Sequence, residues 1–301
     1  MKVINVNRSP LYQTGILAAM LFVGFFITQL IIAFIYAGTA VGQSGNSVVD
    51  LMKVPVWALQ TAQFIAAIFT FLLPAFVTAW ICSNQPKNYL CIQDFPSIRI
   101  LAVVGLTTLL LSPIVSLTGH FNSQLHLPAS MAAIEEWIKS SEELAEALVQ
   151  KMTSEKGVFS FIINLFVIAV VAGVAEEFLF RGALLQIIQQ KIKDHHVAIW
   201  FVAVLFSAIH FQFYGFVPRM ILGAYLGYLI YWTKNIWIPV FAHFFHNAVA
   251  FIGMSNDSLK DNALFTDEIA SEDIWWLSIT ACICLMAFFY CVKVIRNVNS
   301  T

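Results

Sequence analysis

The sequence predicts an all-α, polytopic membrane bundle of about eight transmembrane helices. Three observations carry this. Of the 301 residues, 59% are hydrophobic and only 11% are charged. A soluble domain carries roughly a quarter charged residues. The apolar residues gather into runs near the roughly 20 residues that a bilayer span needs. Lys and Arg gather in alternate connections, as the positive-inside rule requires.

The eight expected spans are Thr14–Ala37, Val56–Ile81, Ile100–Thr118, Val158–Ile188, His196–Phe211, Phe216–Trp232, Ile236–Met254 and Ile274–Val292. The first apolar run, from about Ile16, is too long for a signal peptide, and no small-residue cleavage site follows it. The fourth exceeds one perpendicular crossing and is expected to tilt or to leave the membrane as an interfacial helix. The fifth to seventh are short and closely linked, as through Lys234-Asn235, which predicts antiparallel neighbours.

The basic connections hold Lys2 and Arg8, Lys87 and Arg99, Lys191 and Lys193, Lys234, and Lys293 with Arg296. The intervening loops are acidic: residues 121–156 carry Glu135, Glu136, Glu142, Glu143, Glu146 and Glu155, and residues 255–273 carry Asp257, Asp261, Asp267, Glu268, Glu272 and Asp273. Both termini are therefore expected to be cytoplasmic. Within the first acidic loop, Ala129–Met152 reads as an amphipathic helix outside the membrane. Ile134, Trp137, Ile138, Leu144, Leu148 and Met152 share one face. The net charge of -1 gives no reason to expect nucleic acid. The cysteines, Cys82, Cys91, Cys282, Cys284 and Cys291, match no zinc spacing and read as packing thiols.

Costly polar groups sit within three of the apolar spans. The fourth holds Glu176, Glu177 and Arg181; the fifth holds His210; the seventh holds His243, His246 and Asn247. Ionisable groups inside a bilayer are expensive, and they mark sites where they face one another. At about 100° per residue, Arg181 falls about 40° from Glu177 and about 140° from Glu176. Glu before Arg at a spacing of four is also the favourable order. Glu177 is thus expected to pair with Arg181, and Glu176 to point elsewhere. His243 and Asn247, four apart, share a face.

A clamp of mutual hydrogen bonds would need fewer groups than these. Hydrolysis uses four of them: a desolvated carboxylate and an imidazole hold one water, and a second imidazole with an amide stabilises an oxyanion. The same inventory suits a metal, since Glu176, His210 and His243 form a His₂Glu set with an open position, as zinc prefers. The residues alone leave both schemes open.

The motifs Glu176-Glu177-x-x-x-Arg181, Phe206-x-x-x-His210 and His243-x-x-x-Asn247, in that order on apolar spans, resemble the CPBP family of intramembrane proteases. This is the CAAX-protease and bacteriocin-processing (Abi) family, and the chain is similar to type II CAAX prenyl endopeptidases. The likeness covers about residues 157–254. It implies that Glu176 and His210 activate water, that His243 and Asn247 hold the oxyanion, and that Glu177 and Arg181 support them. The family name says metalloprotease; the mechanism the resemblance favours is glutamate-dependent and needs no cofactor, with zinc or another divalent metal as the alternative.

The expected organisation is an N-terminal membrane region (1–156), a catalytic core (157–254), and a last loop, span and tail (255–301). The expected partners are the bilayer and a membrane-associated protein or peptide substrate. The expected location is a bacterial inner (cytoplasmic) membrane. Two rivals differ in class. A catalytically silent immunity or scaffold protein has no need of all four groups. A proton-coupled transporter would show paired repeats, and the sequence has no internal repeat.

Overall fold

The computed structural model describes residues 8–39, 50–155, 157–256, 269 and 273–296. The acidic residues Asp257, Asp261, Asp267, Glu268 and Glu272, and the basic Lys2, lie outside the described residues. Of the described residues 84% are helical, and none lies in a strand. Among the described residues the long helices are α1 (Pro10–Ala37), α2 (Val56–Cys82), α3 (Ile98–Ser123), α4 (Ala132–Ser154), α5 (Val158–Lys191), α6 (His195–Ala208), α7 (Phe216–Thr233), α8 (Trp237–Ser255) and α9 (Ile274–Arg296).

Six of these, α1, α2, α3, α5, α8 and α9, are long and apolar enough to cross a membrane. The fifth expected span is shorter, an apolar helix of 14 residues in α6. At about 1.5 Å per residue such a helix falls short of a bilayer core of about 30 Å. The sixth expected span, α7, is an 18-residue helix that is not among the six. Together these make an integral, multi-pass helical membrane protein. Large apolar side chains stand outward from several helices, among them Phe22, Phe34, Trp80, Phe159 and Tyr290. Such an outer surface suits hydrocarbon rather than water.

The described chain divides into two compact units that do not follow its order. One takes residues 1–92 and 145–191, the other 93–144 and 192–301.

In the first unit α1 packs on α2 at very short range. A Cβ at Gly24 would lie 2.0 Å from the Phe69 carbonyl oxygen, so only glycine fits there. Close backbone approach at small residues is how membrane helices associate. Beside it, Thr28 and Thr70 share a hydroxyl hydrogen bond of 3.1 Å. Gly24→Leu is expected to force α1 off α2, lowering the detergent-resistant folded fraction several-fold in a thermal-aggregation assay. An unchanged transition would show that the two backbones do not meet there. Polar pairs fasten the same unit. Gln13 donates to Gln190 at 2.9 Å and accepts from the Tyr89 hydroxyl at 2.9 Å. Gln60 donates to Asn164 at 2.8 Å, and Asn164 donates to the Met152 carbonyl at 2.6 Å.

In the second unit α6 and α7 pack tightly at glycine. A Cβ at Gly227 would lie 2.8 Å from Ile199. Asp194 caps α6, accepting from His196 N–H at 2.8 Å and Val197 N–H at 3.2 Å. This capping holds the Asp194 carboxyl below the usual carboxylate range. The core joins Val104 and Leu111 of α3 with Leu222, Leu226 and Leu229 of α7 and Ile238 and Ala242 of α8. Inside it, the Tyr225 hydroxyl meets Thr107 Oγ1 at 2.6 Å.

The expected amphipathic helix is present as α4, preceded by a 3₁₀ turn at Ala129–Met131. Ile134, Trp137 and Leu144 are exposed, and Met152 is buried. In the first unit Met152 packs with Val54, Val56 and Ala58. In the second, Glu135 bonds His126 at 3.0 Å and Lys139 at 3.4 Å. The His126 bond, with help from Lys139 and Tyr214, holds the Glu135 carboxyl below its ordinary range.

Candidate active site

The motif residues fall in both units, and each group is set by its own local structure. In the first unit, α5 is not a uniform α-helix. Its hydrogen bonding widens to π over Phe166–Val171 and again over Phe178–Leu184, leaving a short α stretch, Ala172–Glu177, between. π turns inside α-helices are rare and concentrate at functional sites. Glu176 and Glu177 end that stretch. Glu177 and Arg181 are both fully buried and bonded at 2.6 Å, Arg181 Nη1 donating to Glu177 Oε1. The pair expected from helical spacing is therefore present. Glu176 is half-buried.

The surroundings of the pair are apolar. Phe178, Leu179, Phe180 and Ala183 are buried beside it, and Phe178 stacks on Phe76 of α2 with ring centroids 5.0 Å apart. In such a setting an ion pair persists only with good geometry, because both charges have left water.

In the second unit the structure corrects the placement of His210. The sequence puts it on the fifth span, but α6 ends at Ala208, and His210 lies in the turn that follows. Ser207 has a side chain that donates to the Phe216 carbonyl at 2.7 Å, and this closes the chain on itself just past the helix end. Phe211 then takes a left-handed backbone, φ 52°, and directs the chain away from the helical path.

His210 Nδ1 lies 2.8 Å from the Phe206 carbonyl oxygen. A carbonyl only accepts, so Nδ1 carries the proton, and Nε2 is the nitrogen of the neutral ring able to take one. The Phe206 ring stands edge-on to two imidazoles, His210 at 5.3 Å and His243 at 5.8 Å between centroids. Motif two and motif three thus meet at one phenylalanine. Phe206 itself is 1% exposed, and a Cβ on Gly223 of α7 would lie 3.0 Å from its ring. His243 is buried, and Asn247, one turn further along α8, is half-buried on the same face. His246 is half-buried on the same helix.

Sequence reasoning passed over Arg219. It stands in the first turn of α7, half-buried, donating to the Gln212 side chain and to the Gly215 carbonyl. Its charge reaches His210 and His246. The signal that could have found it was an arginine just inside an apolar run, a placement that is expensive without a task.

Among the described residues, no group of three or more His, Cys, Asp or Glu is arranged to hold a metal ion. The metalloprotease reading is not supported. A tetrahedral site needs its donors gathered at about 2 Å from one point, which the motif pattern alone does not guarantee.

Residues 158–249 match the family model described as Type II CAAX prenyl endopeptidase Rce1-like. The matched segment contains all three motifs, and it is in this segment that the chain is similar to the family. The chain is also similar to the uncharacterized protein YpbD of Bacillus subtilis, 28% identical over 121 residues. That alignment covers 39% of this chain and 57% of the relative, so the chain spans little more than half of that curated protein's length. No solved structure matches.

Proposed function

We propose that this protein is an intramembrane endopeptidase that hydrolyses a peptide bond in a membrane-associated protein or peptide. The observation that carries the reading is the His210 ring. Its Nδ1 is committed to the Phe206 carbonyl, which presents Nε2 as the basic nitrogen beside the same phenylalanine that packs on His243. The family match over residues 158–249 supports the reaction class.

In the proposed reaction, Glu176 and His210 act on one water. Glu176 takes its proton as the oxygen attacks the scissile carbonyl. The new tetrahedral oxyanion accepts hydrogen bonds from His243 and the Asn247 amide. Collapse of the intermediate expels the amine, which leaves with the proton. Glu177 and Arg181 hold the helix geometry under Glu176. No cofactor is required in this scheme. The protein resides in a bacterial cytoplasmic membrane with both termini inside.

The experiment is turnover of a membrane-anchored, fluorescence-quenched peptide by purified protein in liposomes. Removing an oxyanion donor typically lowers the rate by about 10²–10³. Asn247→Ala is therefore expected to lose roughly that much in kcat while keeping its thermal transition. Exhaustive chelation is expected to leave the wild type active. Loss on chelation with recovery on zinc would move the assignment to a metal scheme, and a wild type that cleaves no such peptide would overturn the proposal. Reporter fusion at residue 140 is expected to read extracytoplasmic, and a cytoplasmic signal there would reverse the orientation.

A further inference from the structure

The turn that carries His210 is held by residues that lie outside the matched segment. Between the end of α6 at Ala208 and the start of α7 at Phe216, the backbone has left the helical ladder. Its polar groups must then be satisfied by side chains. Asn122, near the end of α3 and 3% exposed, donates to the Phe213 carbonyl at 2.6 Å and accepts the Val217 N–H at 3.0 Å. Glu142 of α4, 8% exposed, accepts the Tyr214 N–H at 3.0 Å. Glu135, two turns earlier on α4, accepts the Tyr214 hydroxyl at 3.3 Å. All of these groups belong to one unit.

Phe211 gives the turn a reason to need this. An aromatic residue at φ 52° is strained, and such a conformation persists only where its surroundings over-determine it. The Asn122 and Glu142 bonds fall on backbone groups two to six residues past Phe211, where they fix the path of the chain whatever the side chains there.

We infer that Asn122 and Glu142 are positioning residues for His210. They hold the 209–215 turn so that the imidazole keeps the attitude its Phe206 bond defines. This rests on the proposed role of His210, and it extends the working machinery beyond residues 158–249 to the α3–α4 region. A misplacement of about 1 Å in a reacting group can cost on the order of a hundredfold in rate. The two side chains therefore act on turnover without touching substrate.

The test uses the full chain in liposomes. Peptide-resolved hydrogen exchange follows residues 209–217, and a farnesylated, fluorescence-quenched CAAX-type peptide follows turnover. In Glu142→Ala and in Asn122→Ala, exchange through the turn is expected to quicken. Their kcat is expected to fall by roughly ten- to a hundredfold with KM little changed. Glu142→Gln is expected to restore both readouts, because its amide oxygen accepts the same N–H. Glu143→Ala, an exposed charge on the same helix, is expected to change neither. Unchanged exchange in both alanine variants overturns the inference, as does faster exchange with unchanged kcat. A wild type that cleaves nothing counts against the proposed function alone. The His210 ring resonance in carbon-labelled protein, assigned through His210→Asn, then decides: it shifts in Glu142→Ala if the turn positions the ring, and a fixed resonance overturns the inference.

Discussion

Glu176→Gln is expected to remove at least about a hundredfold of kcat while the protein folds and inserts as before. The reason is chemical. General-base catalysis contributes typically 10²–10⁴-fold, and an amide of the same shape takes no proton. Glu176 is only half-buried, and the 2.6 Å bond to Arg181 Nη1 is made by Glu177. Replacing it with an isosteric amide therefore leaves that ion pair intact. Glu176→Asp keeps the charge but draws it back by one methylene, so partial activity is expected. The check is turnover in liposomes beside a thermal transition for each variant. Activity within about twofold of wild type in Glu176→Gln would remove the base from the scheme, whether or not a metal takes part.

Arg181→Ala is expected to behave oppositely, with a large loss of stability and expression. Both members of the Glu177–Arg181 pair are fully buried, and their bond is 2.6 Å. Removing one partner leaves an uncompensated charge in the helix bundle, which costs about 3–5 kcal/mol. Glu177→Ala is expected to do the same by stranding the guanidinium. Replacing both with Met is expected to be milder than either single change, because no lone charge remains and the volume is kept. The measurement is unfolding in mixed detergent, with turnover scaled to the folded fraction. Single variants of normal stability that lose all turnover would make the pair part of the chemistry rather than its support.

These two outcomes separate neighbours in the sequence, and helical spacing singled out Glu177 as a partner of Arg181. A spacing of four brings Glu177 onto Arg181. That relation is local, within about one turn, so the sequence determined it. It also determined the helical spans to within a few residues, as in Val56–Cys82 against the expected Val56–Ile81. The physical reason is that a bilayer offers backbone groups no water, so each long apolar run must close its own hydrogen bonds as a helix. The order of the three motifs was legible for the same reason: each is a short pattern on such a run.

The tertiary structure decided what depends on distant partners. His210 lies off its helix because Ser207, Asn122 and Glu142 bond the following turn, and the last two come from 65 or more residues upstream of Ser207. No periodicity in residues 196–211 announces that stop. The meeting of His210 and His243 at Phe206 depends on how α6, α7 and α8 pack, with Gly223 admitting the ring. The division into two units from interleaved stretches, and the short reach of α6, are likewise products of packing. Local rules fix which face a residue takes on its own helix; which faces meet is settled only when all the helices compete for the same contacts.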